Sequence, residues 1–275
     1  MVFNQMQSNT LKPSSKLFSW RRITSLLGWT RSSYLLLSVF LATLFVIGFV
    51  WWPLVQGVIA HIDWRYPIWP QLDWLLFGIF AAMSLLIMAG ADLKVDALII
   101  LVGLAGGLVI ESWGTQTQLW TYYTFERPPL WIIPAWPIAS LAIDRLFRGL
   151  RRLTAFVRPN VFRYLYWAVF VLFYALMLSF VWPTINKSFT WIALGLCAVL
   201  ILTPTDYRLA VLTFIAGSGL GYFLEVWGTT RECWTYYTQQ TPPVFAVFAH
   251  GMAAVAFWRV GRLVVSGWSL VASRL

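Results

Sequence analysis

Glu111 and Glu225 head two copies of one polar and aromatic motif. The first copy runs Glu111-Ser112-Trp113-Gly114-Thr115, then Trp120-Thr121-Tyr122-Tyr123-Thr124, then Pro128-Pro129. The second runs Glu225-Val226-Trp227-Gly228-Thr229, Trp234-Thr235-Tyr236-Tyr237-Thr238 and Pro242-Pro243, offset by 114 residues without a gap. Burial in a dry site favours the protonated, proton-donating form of a carboxyl group, phenol hydroxyls supply hydrogen bonds, and aromatic faces attract positive charge. Together they are equipment for protonating an alkene and holding the carbocation that results. The candidate catalytic residues are therefore Glu111, Glu225, Tyr122, Tyr123, Tyr236 and Tyr237. The candidate ligand-binding residues are Trp113, Gly114, Thr115, Trp120, Trp227, Gly228, Thr229 and Trp234. A scaffold reading stands beside this one: Trp and Tyr gather at membrane interfaces, glycine ends helices, and each Glu can accept from backbone donors of the following loop.

The register also holds upstream of the motif. Asp92 matches Asp206, Lys94 matches Arg208, Gly103 matches Gly217 and Gly107 matches Gly221, and 15 of 38 aligned positions from Asp92 to Pro129 are identical. Self-similarity of this kind marks a duplicated structural unit. Each glutamate lies 19 residues beyond its aspartate, a climb of roughly 28 Å along a helix, which puts the acids near one membrane boundary. The glycines recur at four-residue spacing and form a small-residue stripe, expected to draw the third and seventh spans together near the centre of the molecule.

The elements that must position these groups are apolar. The chain is 60% hydrophobic and 11% charged, against roughly 25% charged for ordinary soluble domains. Its apolar runs have the length that a ~30 Å hydrocarbon core demands of a helix. Eight spans are expected, at residues 34–53, 71–91, 95–113, 130–147, 163–182, 190–204, 208–226 and 243–262. The fold class is thus an all-α, polytopic integral membrane protein of two parallel four-helix repeats, related by a pseudo-two-fold axis along the membrane normal. Its organisation is a cytoplasmic N-terminal segment (1–33), a first repeat (34–147), a basic cytoplasmic linker (148–162), a second repeat (163–262) and a C-terminal tail (263–275). Within the first segment, Trp20–Trp29 reads as amphipathic and no cleavable signal peptide is evident. Residues 54–70 read as an interfacial or re-entrant loop. Pro134 and Pro137 are expected to kink or break the fourth span.

Sixteen of the 20 Lys and Arg fall in segments assigned to one side, which sets both termini in the cytoplasm, with a bacterial inner membrane as the expected location. The net charge of +10 is absorbed by this topology signal, so no nucleic-acid partner is expected. Arg148, Arg151 and Arg152 belong to that signal, with anionic lipid heads as the alternative. Cys197 and Cys233 form no metal or disulfide framework, and His61 and His250 have no ligand-like companion at close spacing. His250, which takes the register position of Trp136, reads as a hydrogen-bonded core residue. Asp144 reads as an end-of-helix ion-pair partner of Arg145. Glu126, Arg127, Arg231 and Glu232 read as solvated loop charges, and Asn186-Lys187-Ser188 matches a glycosylation triplet.

The run Ile110-Glu111-x-x-Gly114-Thr115, Tyr122-Tyr123-Thr124, Pro134 and Trp136 resembles the motif of integral-membrane carotenoid hydratases, relatives of the small-subunit type of membrane lycopene cyclases. The resemblance covers roughly residues 105–137 and, more loosely, 219–250. It departs where Leu119-Trp120 and Cys233-Trp234 replace the family's glycine-rich step, and where Phe248 and His250 stand for Pro134 and Trp136. What carries over is Glu111, Gly114, Tyr122 and Tyr123. The resemblance implies acid-catalysed hydration or cyclisation of an isoprenoid double bond without metal or nucleotide cofactor.

The expected partners are the lipid bilayer, an apolar isoprenoid or pigment ligand, and other proteins in the membrane. Two alternatives stay open: a non-catalytic membrane subunit that binds pigment, quinone or lipid or braces a complex, and a proton-coupled transporter using the paired glutamates as a relay.

Overall fold

The computed structural model describes Thr24, residues 28–203 and residues 206–272. The amphipathic stretch expected at Trp20–Trp29 and the end of the C-terminal tail lie largely outside the described residues. Among them are nine α-helices: α1 (Arg31–Val50), α2 (Trp52–Ala60), α3 (Trp74–Met88), α4 (Leu93–Thr117), α5 (Ala135–Leu153), α6 (Pro159–Val181), α7 (Ser188–Ile201), α8 (Tyr207–Thr230) and α9 (Val244–Ala272). Two short 3-10 turns and two three-residue strands, β1 (Trp120–Tyr122) and β2 (Trp234–Tyr236), complete the set, so the described residues are all-α apart from this ribbon.

The helices start where their sequences say they should. Asp73, Asp92 and Asp206 each cap a helix N-terminus, accepting hydrogen bonds from the backbone N–H of Leu76 at 3.2 Å, Lys94 at 3.0 Å and Leu209 at 2.9 Å, groups left without an intrahelical partner. Helix α4 stops at Gln118, whose φ of 65° turns the chain out of the helix.

Five helices are long and apolar enough to cross a membrane: α1, α4, α6 with the turn after it, α8 and α9. Helices α3 and α7 are apolar but shorter, with 15 and 14 residues. The span expected at 130–147 takes another form. Pro134 sits at the N-cap of α5 and Pro137 in its first turn, so the prolines begin this helix instead of kinking it. Asp144, Arg145, Arg148, Arg151 and Arg152 then make α5 amphipathic.

The loops sort to two ends. At one, the Thr30 hydroxyl donates to the Ala91 carbonyl, Ser33 to Met88, and the Arg208 guanidinium to the Thr154 carbonyl at 2.7 Å. Arg145 is buried there, donating to Asp96 and to Asp144 at 2.6 Å each and to the Ala89 carbonyl at 3.0 Å. Asp144 therefore belongs to a mid-helix network that also takes in Arg148, not to a helix end.

At the opposite end the halves hold one another. Asp73, which caps α3, accepts from the Trp227 indole N–H at 2.9 Å and from Arg231 at 3.1 Å, both at the end of α8. Lys187, at the matching place before α7, donates to the Thr117 carbonyl at the end of α4 at 2.8 Å. Arg231 is thus an ion-pair residue and not merely a solvated loop charge.

The duplication reaches further than the motif register. Buried Leu36, Phe40, Thr43 and Ile47 of α1 correspond to buried Tyr166, Phe170, Phe173 and Met177 of α6, and Trp52-Pro53 to Trp182-Pro183, at an offset of 130 instead of 114. The difference is the first half's additional segment, the exposed helix α2 and the turns to Gln71.

The glycine stripe does not join α4 to α8. A Cβ on Gly103 would stand 2.9 Å from the Pro137 Cα, and one on Gly217 would stand 2.7 Å from the Gly251 Cα. The glycines admit the next helix of their own half, α5 onto α4 and α9 onto α8, while α5 packs across the halves on α8.

Candidate functional site

The motif loops are not separate loops. β1 and β2 pair antiparallel, with Trp120 opposite Tyr236, Thr121 opposite Thr235 and Tyr122 opposite Trp234. Side chains two apart on a strand share a face, so Trp120, Tyr122, Trp234 and Tyr236 all come from one face of the ribbon. That face lies over the ends of α4 and α8, where the two glutamates are 3% exposed.

Each carboxylate is met by three hydrogen-bonding groups, all of them donors at Glu111. Glu111 Oε2 accepts from the Trp120 indole N–H at 3.1 Å, and its Oε1 accepts from the Tyr122 hydroxyl at 2.9 Å and the Trp136 indole N–H at 3.1 Å. Glu225 Oε2 accepts from the Trp234 N–H at 3.0 Å, and its Oε1 from the Tyr236 hydroxyl at 2.9 Å; His250 Nε2 lies 2.8 Å from the same oxygen. Trp136, in the first turn of α5, and His250, in the second turn of α9, stack on each other with centroids 5.9 Å apart and planes inclined by 16°. The two clusters thus form one unit.

Glycine makes the approach possible. A Cβ on Gly114 or Gly228 would fall 1.9 Å from the ring of Trp120 or Trp234, and one on Gly107 or Gly221 would fall 2.4 Å from Trp136 or His250. The spacing Gly-x-x-x-Glu-x-x-Gly is therefore a seat for two rings around each carboxylate, not a helix terminator.

The remaining motif residues go elsewhere. Tyr123 donates to the Val50 carbonyl and Tyr237 to the Phe180 carbonyl at 2.8 Å, fastening the ribbon to the ends of α1 and α6. The Thr115 and Thr229 hydroxyls donate to the Glu111 and Glu225 main-chain carbonyls at 2.6 Å, one helical turn back. Trp227 is committed to Asp73. Trp113 packs edge-on against Trp120 with centroids 5.7 Å apart. Trp136 and His250 are the residues that sequence reasoning did not place at the acids. Their shared register position and shared ring N–H were the available signal, hidden by the difference in residue type.

Both clusters face a cavity of about 770 Å³. It follows α4 from Glu111 to Leu98 and α9 from His250 to Val264, roughly 20 Å of each helix. Apart from the acids, their donors and Thr43, its walls are apolar, with Phe40, Met83, Phe173 and Met177 among them. Leu101, Val109 and Leu196 line it and are also 63%, 53% and 47% exposed on the side of the molecule, so the space opens laterally.

Nothing among protein-family models, curated proteins or solved structures matches this chain. Function must therefore be argued from the site.

Chemically, the site offers two carboxylates with oriented neutral donors at the head of a long apolar space. Indole N–H groups only donate, so the donors around Glu111 are arranged for an anion. On the ribbon, burial first, and the neighbouring carboxylate second, hold the Tyr122 and Tyr236 hydroxyls well above the ordinary phenol range; they serve as hydrogen-bond donors. Cys233, beside the ribbon, is buried and its thiol is pushed up to about 12.

Proposed function

We propose that this is an eight-crossing protein of two parallel four-helix repeats in a bacterial inner membrane, with both termini cytoplasmic, and that its lateral cavity takes an elongated apolar isoprenoid or carotenoid-like molecule. Helices α3, α5 and α7 complete the crossings alongside the five longer ones. The carboxyl groups of Glu111 and Glu225 act at the head of the cavity, adding a proton to an isoprenoid double bond. The π electrons form the new C–H bond, the neighbouring carbon becomes cationic, and water or an internal double bond captures it. The captured product then loses a proton back to a carboxylate.

The observation that carries this reading is the set of three hydrogen-bonding groups on each acid, an indole N–H and a tyrosine hydroxyl donating in both. Donors fixed around the carboxylate stabilise the anion left by proton transfer, where charge develops. The Trp113 and Trp120 faces nearby suit a developing cation.

A second reading is a non-catalytic subunit binding pigment, quinone or lipid. The saturation of Glu111 by donors alone favours it, because that carboxylate is already satisfied as an anion.

Purification in mild detergent from a carotenoid-producing host, followed by absorption spectra and mass spectrometry of extracted lipids, separates the two. A hydrated or cyclised product present with wild type and missing with E111Q/E225Q supports the enzyme. Bound but unaltered pigment in both supports the binding subunit. A folded sample with neither counts against an isoprenoid ligand and turns attention to proton-coupled transport.

A further inference from the structure

The side chains around the two acids match one for one except at one place. Where Trp136 serves Glu111, His250 serves Glu225. Indole has one N–H and no acceptor, whereas imidazole has two nitrogens that can each gain or lose a proton. The exchange leaves geometry nearly intact, since both rings sit over a glycine of the preceding helix and stack on one another. It changes only what the ring can do with a proton.

Exposure points the same way. The Glu225 side chain is 4% exposed and the His250 side chain 20%, and His250 lines the cavity. The imidazole is the member of the pair with more open surface.

We propose that His250 is the proton-transfer residue of the site, passing a proton between the Glu225 carboxyl and the molecule in the cavity, so that the second half protonates and the first half stays a fixed anion. The proposal rests on the acid-addition reading above and narrows it, with Glu225 giving up the proton and Glu111 remaining the anion. In the forward step a proton held between Glu225 and His250 moves to an alkene carbon, and the π pair becomes the C–H bond. Water attacks the resulting cation, and the proton it sheds returns to the imidazole or carboxylate, leaving one water added and the protein unchanged. Glu111, separated from His250 by the Trp136 ring that it binds, supplies negative charge beside the cation.

The titratable groups that line the cavity with His250 are Glu225 of α8, Glu111 of α4, Tyr122 and Tyr236 of the ribbon and Cys197 of α7. His250 also shares α9 with Arg259 and Arg262, some two turns or more further along. Among these, Glu225 is the titratable partner within hydrogen-bond distance of the ring.

The test uses the full chain in phospholipid vesicles with lycopene as the probe. H250W reproduces the ring of the first half, and H250Q keeps an N–H for Glu225. The expectation is a loss of product of about 100-fold or more in both, with lycopene retention within twofold of wild type. Wild-type turnover and pH profile in H250W would overturn the proposal.

A second readout needs no turnover. The chain has two histidines, so ¹⁵N-histidine NMR of H61Q reports His250 alone. The ring sits 2.8 Å from the Glu225 carboxyl, so its ¹⁵N shifts are expected to change in E225Q, as a proton shared with that carboxyl requires. Ring ¹⁵N shifts unaffected by E225Q would overturn proton transfer through His250. If wild type leaves lycopene unchanged, the isoprenoid reading fails and the NMR comparison alone decides the role of His250.

Discussion

Trp120 lies directly across the ribbon from Tyr236, with ring centroids 6.0 Å apart, while Tyr122 faces Trp234 at the same distance. Each strand brings the donors of its own acid and packs them on those of the other. The two carboxylate clusters are thereby one structural unit, and a change in one is felt in both.

Gly114 tests the seat of that unit. Adding a methyl group places a carbon 1.9 Å from the Trp120 ring, so the indole must leave Glu111. Gly114→Ala is expected to destabilise the protein by about 1–3 kcal/mol, as overpacking does, and Gly228→Ala by a similar amount. Thermal unfolding in detergent checks the cost. A shift in tryptophan emission against wild type checks the displaced ring.

The ribbon tyrosines set an alkaline limit. Their folded-state pKa values lie above the ordinary value near 10, so the folded chain holds these protons more tightly than the unfolded one. Their contribution is fully present below about pH 10 and is lost as pH rises from there towards the folded value. Melting temperature should fall steeply above pH 10, and less steeply in Y122F/Y236F. An equal fall in both proteins would show that other groups control the alkaline limit.

Cys233 gives a chemical reading of the same region. A thiol pushed up to about 12 by burial carries very little thiolate at pH 8. Iodoacetamide should label Cys233 slowly in the folded protein and readily after denaturation in detergent, as peptide mass spectrometry will show.

Arg145 and Asp96 probe the opposite end. Their side chains are 3% and 1% exposed and meet at 2.6 Å. Arg145→Ala leaves a buried carboxylate without its cation and is expected to cost about 3–5 kcal/mol, whereas replacing both residues by apolar ones of similar size costs far less. Unfolding of the single and double variants distinguishes a structural ion pair from independent roles.

What was legible in the sequence follows from where residue type was constrained. The acids, Trp120, Tyr122 and their copies stand out because each is needed twice for the same contact. Tyr123 and Tyr237 stand out equally, yet they face the other side of the ribbon and fasten it to α1 and α6; identity in a repeat does not tell which face a strand residue takes. Trp136 and His250 do the same positional work with different side chains, so identity passes over them. The match of α1 to α6 was hidden by the additional segment around α2, which moves the offset from 114 to 130. The helix expected at 130–147 begins five residues later, at Ala135, because apolar content alone does not show that Pro134 starts it.

The most direct measurement is deuterium incorporation. Wild type and E111Q/E225Q, in vesicles loaded with lycopene, are incubated in D₂O and the extracted lipids analysed by mass spectrometry. Acid addition to a double bond places one deuterium on carbon in the product, whether water or an internal double bond captures the cation. That product is expected with wild type and absent with the double variant. Lycopene recovered unchanged and unlabelled from folded wild type, or labelled equally by both proteins, would contradict acid addition at the two glutamates.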